Sequence, residues 1–94
     1  MGRVIYKKHL QFVYDIPFSI KIQKGADIIS CQVQGGEPTI WFECDVEVPI
    51  VDRVFQVFGT GQEVFPEGKY LASLQMGYFV WHVYDYEETN NSPD

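Results

Sequence analysis

Between Phe18 and Gln23 the chain alternates without a break: Phe18, Ile20 and Ile22 are apolar, and Ser19, Lys21 and Gln23 are polar. A period of two sorts the two sets onto opposite faces of an extended strand, whereas a helix would scatter both around its axis. The same habit recurs in stretches rich in Val, Ile, Phe, Tyr and Trp, each cut by Gly or Pro, and no window holds a helical period. Val4 to Val13 reads as a first strand, ended at Asp15-Ile16-Pro17 because proline has no N–H for a ladder. Phe18 to Gln23 is the second, and Lys24-Gly25-Ala26-Asp27 is turn chemistry. Ile28 to Gln34 and Thr39 to Val46 follow, joined by Gly35-Gly36-Glu37-Pro38 as a hairpin loop. Arg53 to Phe58, Tyr70 to Gln75 and Tyr78 to Tyr86 complete the set, with turns at Gly59-Thr60-Gly61, Pro66-Glu67-Gly68 and Met76-Gly77.

About seven strands with short turns imply an all-β fold, either a compact antiparallel β-sandwich or a partly open small barrel. Ninety-four residues allow one domain, expected over residues 1–86, and 46% hydrophobic content is enough to fill its core. Residues 87–94 are acidic or polar, and a disordered tail is expected there. Seven Lys and Arg against thirteen Asp and Glu leave a net charge of −6, which argues against gripping duplex nucleic acid by its phosphates. No apolar run reaches the ~18 to 20 residues of a membrane helix. The first residues lack the apolar stretch of a signal peptide, and Tyr6 stands where a myristoylation motif wants Ser or Thr. The expectation is a soluble intracellular protein, in which Cys31 and Cys44 stay reduced.

A four-residue loop at Gly35 to Pro38 would set Cys31 opposite Phe42. Ile29, Cys31 and Val33 then share the core face with Ile40, Phe42, Cys44 and Val46. The two cysteines would sit diagonally, roughly 7–8 Å apart, as buried free thiols. The opposite face carries Ser30, Gln32, Gln34, Thr39, Glu43 and Asp45 with Trp41 among them. Trp41 either packs under a loop or strand end, or stands as an interface anchor or stacking platform. In the last strand Phe79, Trp81 and Val83 point one way and Tyr78, Val80, His82, Tyr84 and Tyr86 the other, so neither face is polar. Such a strand is central in the sandwich, or its second face meets another copy, making a homo-oligomer an expected partner.

Chemistry is sparse. His9 and His82 are the only imidazoles, and no H-x-H, C-x-x-C or H-E-x-x-H spacing supports a metal site. Ser19, Ser30 and Ser73 are read as strand residues without an adjacent base, and Cys31 on the core face is a poor nucleophile. No cofactor and no catalytic residue is expected. His82 is read as a hydrogen-bonded histidine among tyrosines, with a ligand contact as the alternative. Gly59-Thr60-Gly61 is read as a tight turn needing positive φ, the alternative being an anion cradle of backbone N–H groups. Lys7, Lys8, Lys21 and Lys24, with Arg3, form an N-terminal basic patch that protects edge strands or meets phosphates.

Ile5-Tyr6-Lys7, Lys24-Gly25-Ala26-Asp27-Ile28-Ile29-Ser30 and Gln32-Val33-Gln34 recur in order with Pro38 and Trp41. Arg53, Gly59-Thr60-Gly61, Tyr70-Leu71, Gln75 and Val80-Trp81-His82-Val83-Tyr84 continue the pattern. This order resembles a small phage and prophage family, a domain of unknown function, over nearly the whole chain except Asp15 to Phe18 and the tail. Gln23 stands where members commonly carry Pro, which relaxes the turn before Lys-Gly-Ala. The resemblance implies a phage protein at work in the host bacterial cytoplasm and supplies no catalytic residues. A non-enzymatic binding protein acting against host defence is expected, sequestering a nucleotide signal or occluding a defence protein. Trp41, Trp81 and His82 would then contact a base, and Gly59, Thr60, Gly61 or Lys24 a phosphate. The alternative is a phage structural or assembly accessory acting through aromatic subunit interfaces. An enzyme acting on a small nucleotide is the third reading, disfavoured by the lack of a base–nucleophile pair.

Overall fold

The computed structural model describes residues 2–11 and 16–88. Within them the chain forms seven strands: β1 (Arg3–His9), β2 (Phe18–Gln23), β3 (Asp27–Gln34), β4 (Glu37–Asp45), β5 (Ile50–Gly59), β6 (Lys69–Met76) and β7 (Phe79–Glu88). All pairings are antiparallel, in a three-stranded sheet ordered β1-β4-β3 and a four-stranded sheet ordered β2-β5-β7-β6. The all-β sandwich read from the alternation is what forms, and the sheets do not close into a barrel. No helix is long and apolar enough to cross a membrane among the described residues. The expected end of the first strand, Phe12 and Val13, lies outside the described residues, as do residues 89–94 of the expected tail. Glu87 and Glu88, assigned to that tail, instead continue β7.

The β3–β4 hairpin turns on two residues, not four. Gly35 and Gly36 have φ of +59° and +81°, the pair of positive values that a type I′ turn needs and that matches strand twist. Glu37 and Pro38 therefore belong to β4, and Cys31 pairs with Ile40 in place of Phe42. A shift of two residues preserves the faces, so Cys31, Ile40, Phe42 and Cys44 still point into the core. The shift does not rescue Ile29. A bulge between Ile28 and Ser30 turns Ile28 inward and leaves Ile29 49% exposed. Val33 and Val46 are likewise exposed, whereas Thr39, expected outside, is fully buried, its hydroxyl donating to Glu37 O at 3.0 Å. β6 has its own bulge between Tyr70 and Ala72, and β7 one near Glu87, where φ is +73°.

Ile40, Phe42, Cys44 and Cys31 from the first sheet meet Ile22, Phe55, Val57, Leu74 and Val83 from the second. Phe18 stacks on Phe55 at 6.1 Å. One end of this layer is polar: the buried Arg53 donates from Nε and Nη2 to the two carboxylate oxygens of Asp85, at 3.0 and 2.8 Å. Its Nη1 donates to the carbonyl of Ala26 at 2.9 Å, at the mouth of β3 in the opposite sheet. Asp85 also accepts the Glu87 N–H at 2.8 Å. A two-pronged pair with its remaining valences filled is the geometry in which a buried charge is tolerated.

Removing one partner strands the other charge in the core. Arg53→Met and Asp85→Asn are each expected to lower unfolding stability by about 3–5 kcal/mol, and the double replacement Arg53→Met with Asp85→Leu to restore part of it. Urea midpoints at unchanged m-value measure both effects.

Both cysteines are free. Burial pushes the Cys31 thiol from 9.0 up to about 11 and raises Cys44 as well. The native state thus holds a proton at Cys31 that the unfolded chain releases, so stability present below pH 9 is lost as pH rises towards 11. Urea midpoints across that window should fall more steeply for the wild type than for Cys31→Ala.

Candidate binding site at the aromatic end of the second sheet

Gly59 closes β5 and pairs directly with Trp81 of β7. With no side chain in the way, the indole packs on the glycine: a Cβ there would stand 3.4 Å from Trp81 Cζ3. The chain then turns tightly, Gln62 N–H donating to Gly59 O at 3.1 Å while the Gln62 side-chain carbonyl accepts from Gly59 N–H. Gly61 holds φ at +95°, a conformation open to glycine. The turn reading of Gly59-Thr60-Gly61 describes this geometry, and the anion cradle loses the Gly59 N–H to Gln62.

Across the cleft, β6 and β7 are joined by Gly77-Tyr78. Positive φ at Gly77 and not at Tyr78 is the pattern of a type II′ turn. It leaves Tyr78 fully exposed and Phe79 63% exposed, with Phe79 stacked on Trp81 at 5.7 Å. Gly59, Thr60, Tyr78, Phe79, Val80 and Trp81 surround a cleft of about 290 Å³, with no charged side chain among them.

On the outer face beside this end, His82 joins three hydroxyls. Its Nδ1 is 2.7 Å from Ser73 Oγ, its Nε2 is 2.9 Å from Thr60 Oγ1, and Ser73 is 2.8 Å from the Tyr70 hydroxyl. Ser73 was expected to lack an adjacent base, and this is corrected: β6–β7 pairing sets it directly opposite His82. The pair is not a triad. Among the described residues the hydrogen bonds of the imidazole run to hydroxyls, with no carboxylate to hold it as a base in the arrangement that nucleophilic catalysis uses. Among the described residues no group of three His, Cys, Asp or Glu side chains could hold a metal.

Five of the seven residues picked from the sequence thus meet here: Gly59, Thr60, Gly61, Trp81 and His82. Trp41 does not join them. It lies half-buried on the outward face of the other sheet, paired with Lys7 and Ser30 across β4. Lys7 reaches past β4 to Gln34 Oε1 at 2.6 Å, so this stretch of surface is occupied by the chain itself. Lys24 is at the other end, next to where β5 begins, with its N–H bonded to Pro49 O at 2.8 Å. Ten residues of β5 separate it from Gly59, roughly 30 Å at about 3.4 Å per residue. The basic patch is also dispersed, with Arg3 paired to Asp27 and Glu43 and Lys21 to Asp52.

The Tyr84–Tyr86 part of the outer face of β7 is covered from within. Phe65, from the loop between β5 and β6, packs edge-on against the buried Phe58, which meets Tyr84 in the same manner. Tyr86 donates its hydroxyl to Phe65 O at 2.9 Å, and burial raises the pKa of that phenol. β7 lies between β5 and β6, which accounts for its two apolar faces. Sequence reasoning missed Phe65 because its loop shows no period, and it took Tyr78 for a strand residue although Gly77 marked the turn.

All seven strands fall within one family pattern, which matches residues 1–93. The chain belongs to DUF7352, a domain of unknown function. No curated protein and no solved structure matches it. DUF7352 membership therefore spans both sheets and the aromatic end together, and assigns no residue a role.

Gly68 is where the covering loop is most sensitive. A Cβ there would stand 2.5 Å from Tyr86 Cζ and 2.8 Å from its hydroxyl oxygen. Gly68→Ala should displace the tyrosine, break its bond to Phe65 and cost about 1–3 kcal/mol. Thermal unfolding together with faster amide exchange in residues 62–68 would register it.

Proposed function

We propose that this protein is a non-catalytic binding protein of phage origin, working in the bacterial cytoplasm, that blocks a host defence protein with its aromatic end. The observation that carries this reading is the exposed Tyr78-Phe79 tip, seated on Trp81 and backed by the Gly59–Gln62 turn. Large aromatic side chains in the open are the anchors that protein interfaces favour, and a rigid backing lowers the entropy lost on docking. A charge-free cleft suits such an anchor better than a nucleotide signal, whose phosphates would find no cation among the lining residues. Nucleotide sequestration is accordingly the weaker arm of the anti-defence reading.

The same tip supports a second reading, an assembly accessory in which the aromatics bind copies of the chain or another virion component. The fully exposed Tyr78 favours it equally. The two separate on one double variant. Tyr78→Ser with Phe79→Ser removes two exposed side chains and one stacking contact, that of Phe79 on Trp81, so melting should fall only slightly. Under the anti-defence reading, a defence-sensitive phage plated on a defended host gains from the wild-type protein and not from the double variant. Sedimentation would give the same mass for both. If instead the variant alone loses self-association while protection is unaffected, the assembly reading stands. Ester hydrolysis that disappears in Ser73→Ala would overturn the non-catalytic assignment.

A further inference from the structure

The three-stranded sheet, which carries none of the aromatic end, has an open side of its own. β1 has β4 along one edge and no strand along the other. Its register on β4 runs without a shift from Arg3 opposite Asp45 to His9 opposite Thr39, and Leu10 N–H continues it by donating to Pro38 O at 2.8 Å. Antiparallel bonding alternates, so Val4, Tyr6 and Lys8 share the phase of Leu10 and bond to β4. Arg3, Ile5, Lys7 and His9 therefore aim their N–H and C=O groups out of the sheet, one donor and one acceptor every ~7 Å. Among the described residues no hydrogen bond from the chain reaches these backbone groups, and Ile5 is 58% exposed.

The charge on this edge is one-sided. β1 carries three of the seven Lys and Arg and no Asp or Glu, although the protein is −6 overall. Arg3 is engaged by Asp27 and Glu43. Lys7 is held by the neutral amide of Gln34, and the exposed Lys8 has no ion pair among the described residues. Neighbouring residues of a strand point to opposite faces, so these two lysines flank the edge, one on each side. A second copy fits it poorly. Two β1 strands set antiparallel about Tyr6 would bring Lys7 to Ile5 and Lys8 to Val4, gathering cations without adding a carboxylate. β2, the other edge paired without a shift, has a single cation, Lys21, already bound to Asp52.

We infer that the open edge of β1 takes an extended, acidic segment of another protein as a fourth strand of this sheet. Evenly spaced donors and acceptors call for a polyamide backbone, and lysines on both faces favour Glu or Asp side chains along it. A phosphate chain has no N–H groups to give the carbonyls of the edge. This surface lies on the sheet opposite the Tyr78-Phe79 tip, and its role does not depend on the docking proposed there.

The full chain, labelled with ¹⁵N, is titrated with three heptapeptides: one alternating Glu and Val, one with Lys in place of Glu, and the Glu peptide N-methylated along its backbone. The Glu peptide should move the Ile5 and Lys7 amide protons downfield and slow their exchange, leaving Gly59, Thr60 and Trp81 in place. It should bind about tenfold or more tighter than the Lys peptide, by a margin that shrinks at high salt. The N-methylated peptide should not bind. Ile5→Pro removes one outward N–H at an edge, where proline is tolerated, and should weaken the Glu peptide about tenfold with little change in melting. Equal affinity for the Glu and Lys peptides, binding of the N-methylated one, or shifts that spare β1 up to millimolar peptide would overturn the assignment. So would a wild-type dimer in sedimentation that Ile5→Pro turns to monomer, because a second copy would then hold the edge. Should Ile5→Pro fail to fold, the three peptides on the wild-type chain decide alone.

Discussion

A guanidinium buried between two sheets has to find a partner for the N–H groups it can no longer show to water. Arg53 finds them in two places: two oxygens of Asp85 on β7 and the carbonyl of Ala26 where β3 begins. Arg53 itself stands on β5, so one side chain fixes the internal pair of the four-stranded sheet and pins the three-stranded sheet to it. Hydrophobic contact between the layers is strong but indifferent to small slides. The directional bonds of Arg53 supply the registration, and the apolar side chains of Phe55, Val57, Ile40 and Phe42 then interlock about a fixed point.

That anchor gives the sandwich unlike ends. Charge and backbone hydrogen bonds fill the end at Arg53 and Asp85, while the far end of the same two strands closes with Gly59 under Trp81 and a tip of exposed aromatics. The candidate docking surface therefore sits at the far end of β5 and β7, the inner strands of the sheet, away from the buried charges. Its rigidity comes from ordinary sheet chemistry: a glycine that lets an indole lie flat, a II′ turn that projects Tyr78, and cross-strand bonds from His82 to Ser73 and Thr60.

Local periodicity was legible, and pairing was not. Phe18, Ile20 and Ile22 alternate in sequence and face the core side of β2, as a period of two requires. The hairpin at Gly35-Gly36 was recognised, but its length depended on whether Glu37 and Pro38 could belong to a strand, which composition alone argued against. Faces survived the error because it amounted to two residues; the bulge at Ile29 inverted a face because it amounts to one. The Ser73–His82 contact required knowing that β6 and β7 align with Gln75 opposite Val80. Trp41 and Lys24 were chosen for their chemistry alone, and no local signal could report that one lies on the other sheet and the other a strand's length away.

The bulges have a bearing on more than side-chain direction. β3 and β6 are outer strands of different sheets and approach one another along one flank of the sandwich. Each is interrupted by a bulge near that approach, between Ile28 and Ser30 in one and between Tyr70 and Ala72 in the other. An extended segment of a neighbouring chain recruits a sheet edge by matching its N–H and C=O groups at a constant repeat. Along this flank the repeat is broken in both strands, so neither can seed a long cross-chain ladder. The half-exposed Ile29 and Tyr70 can then sit at the surface without making this edge a starting point for fibril growth.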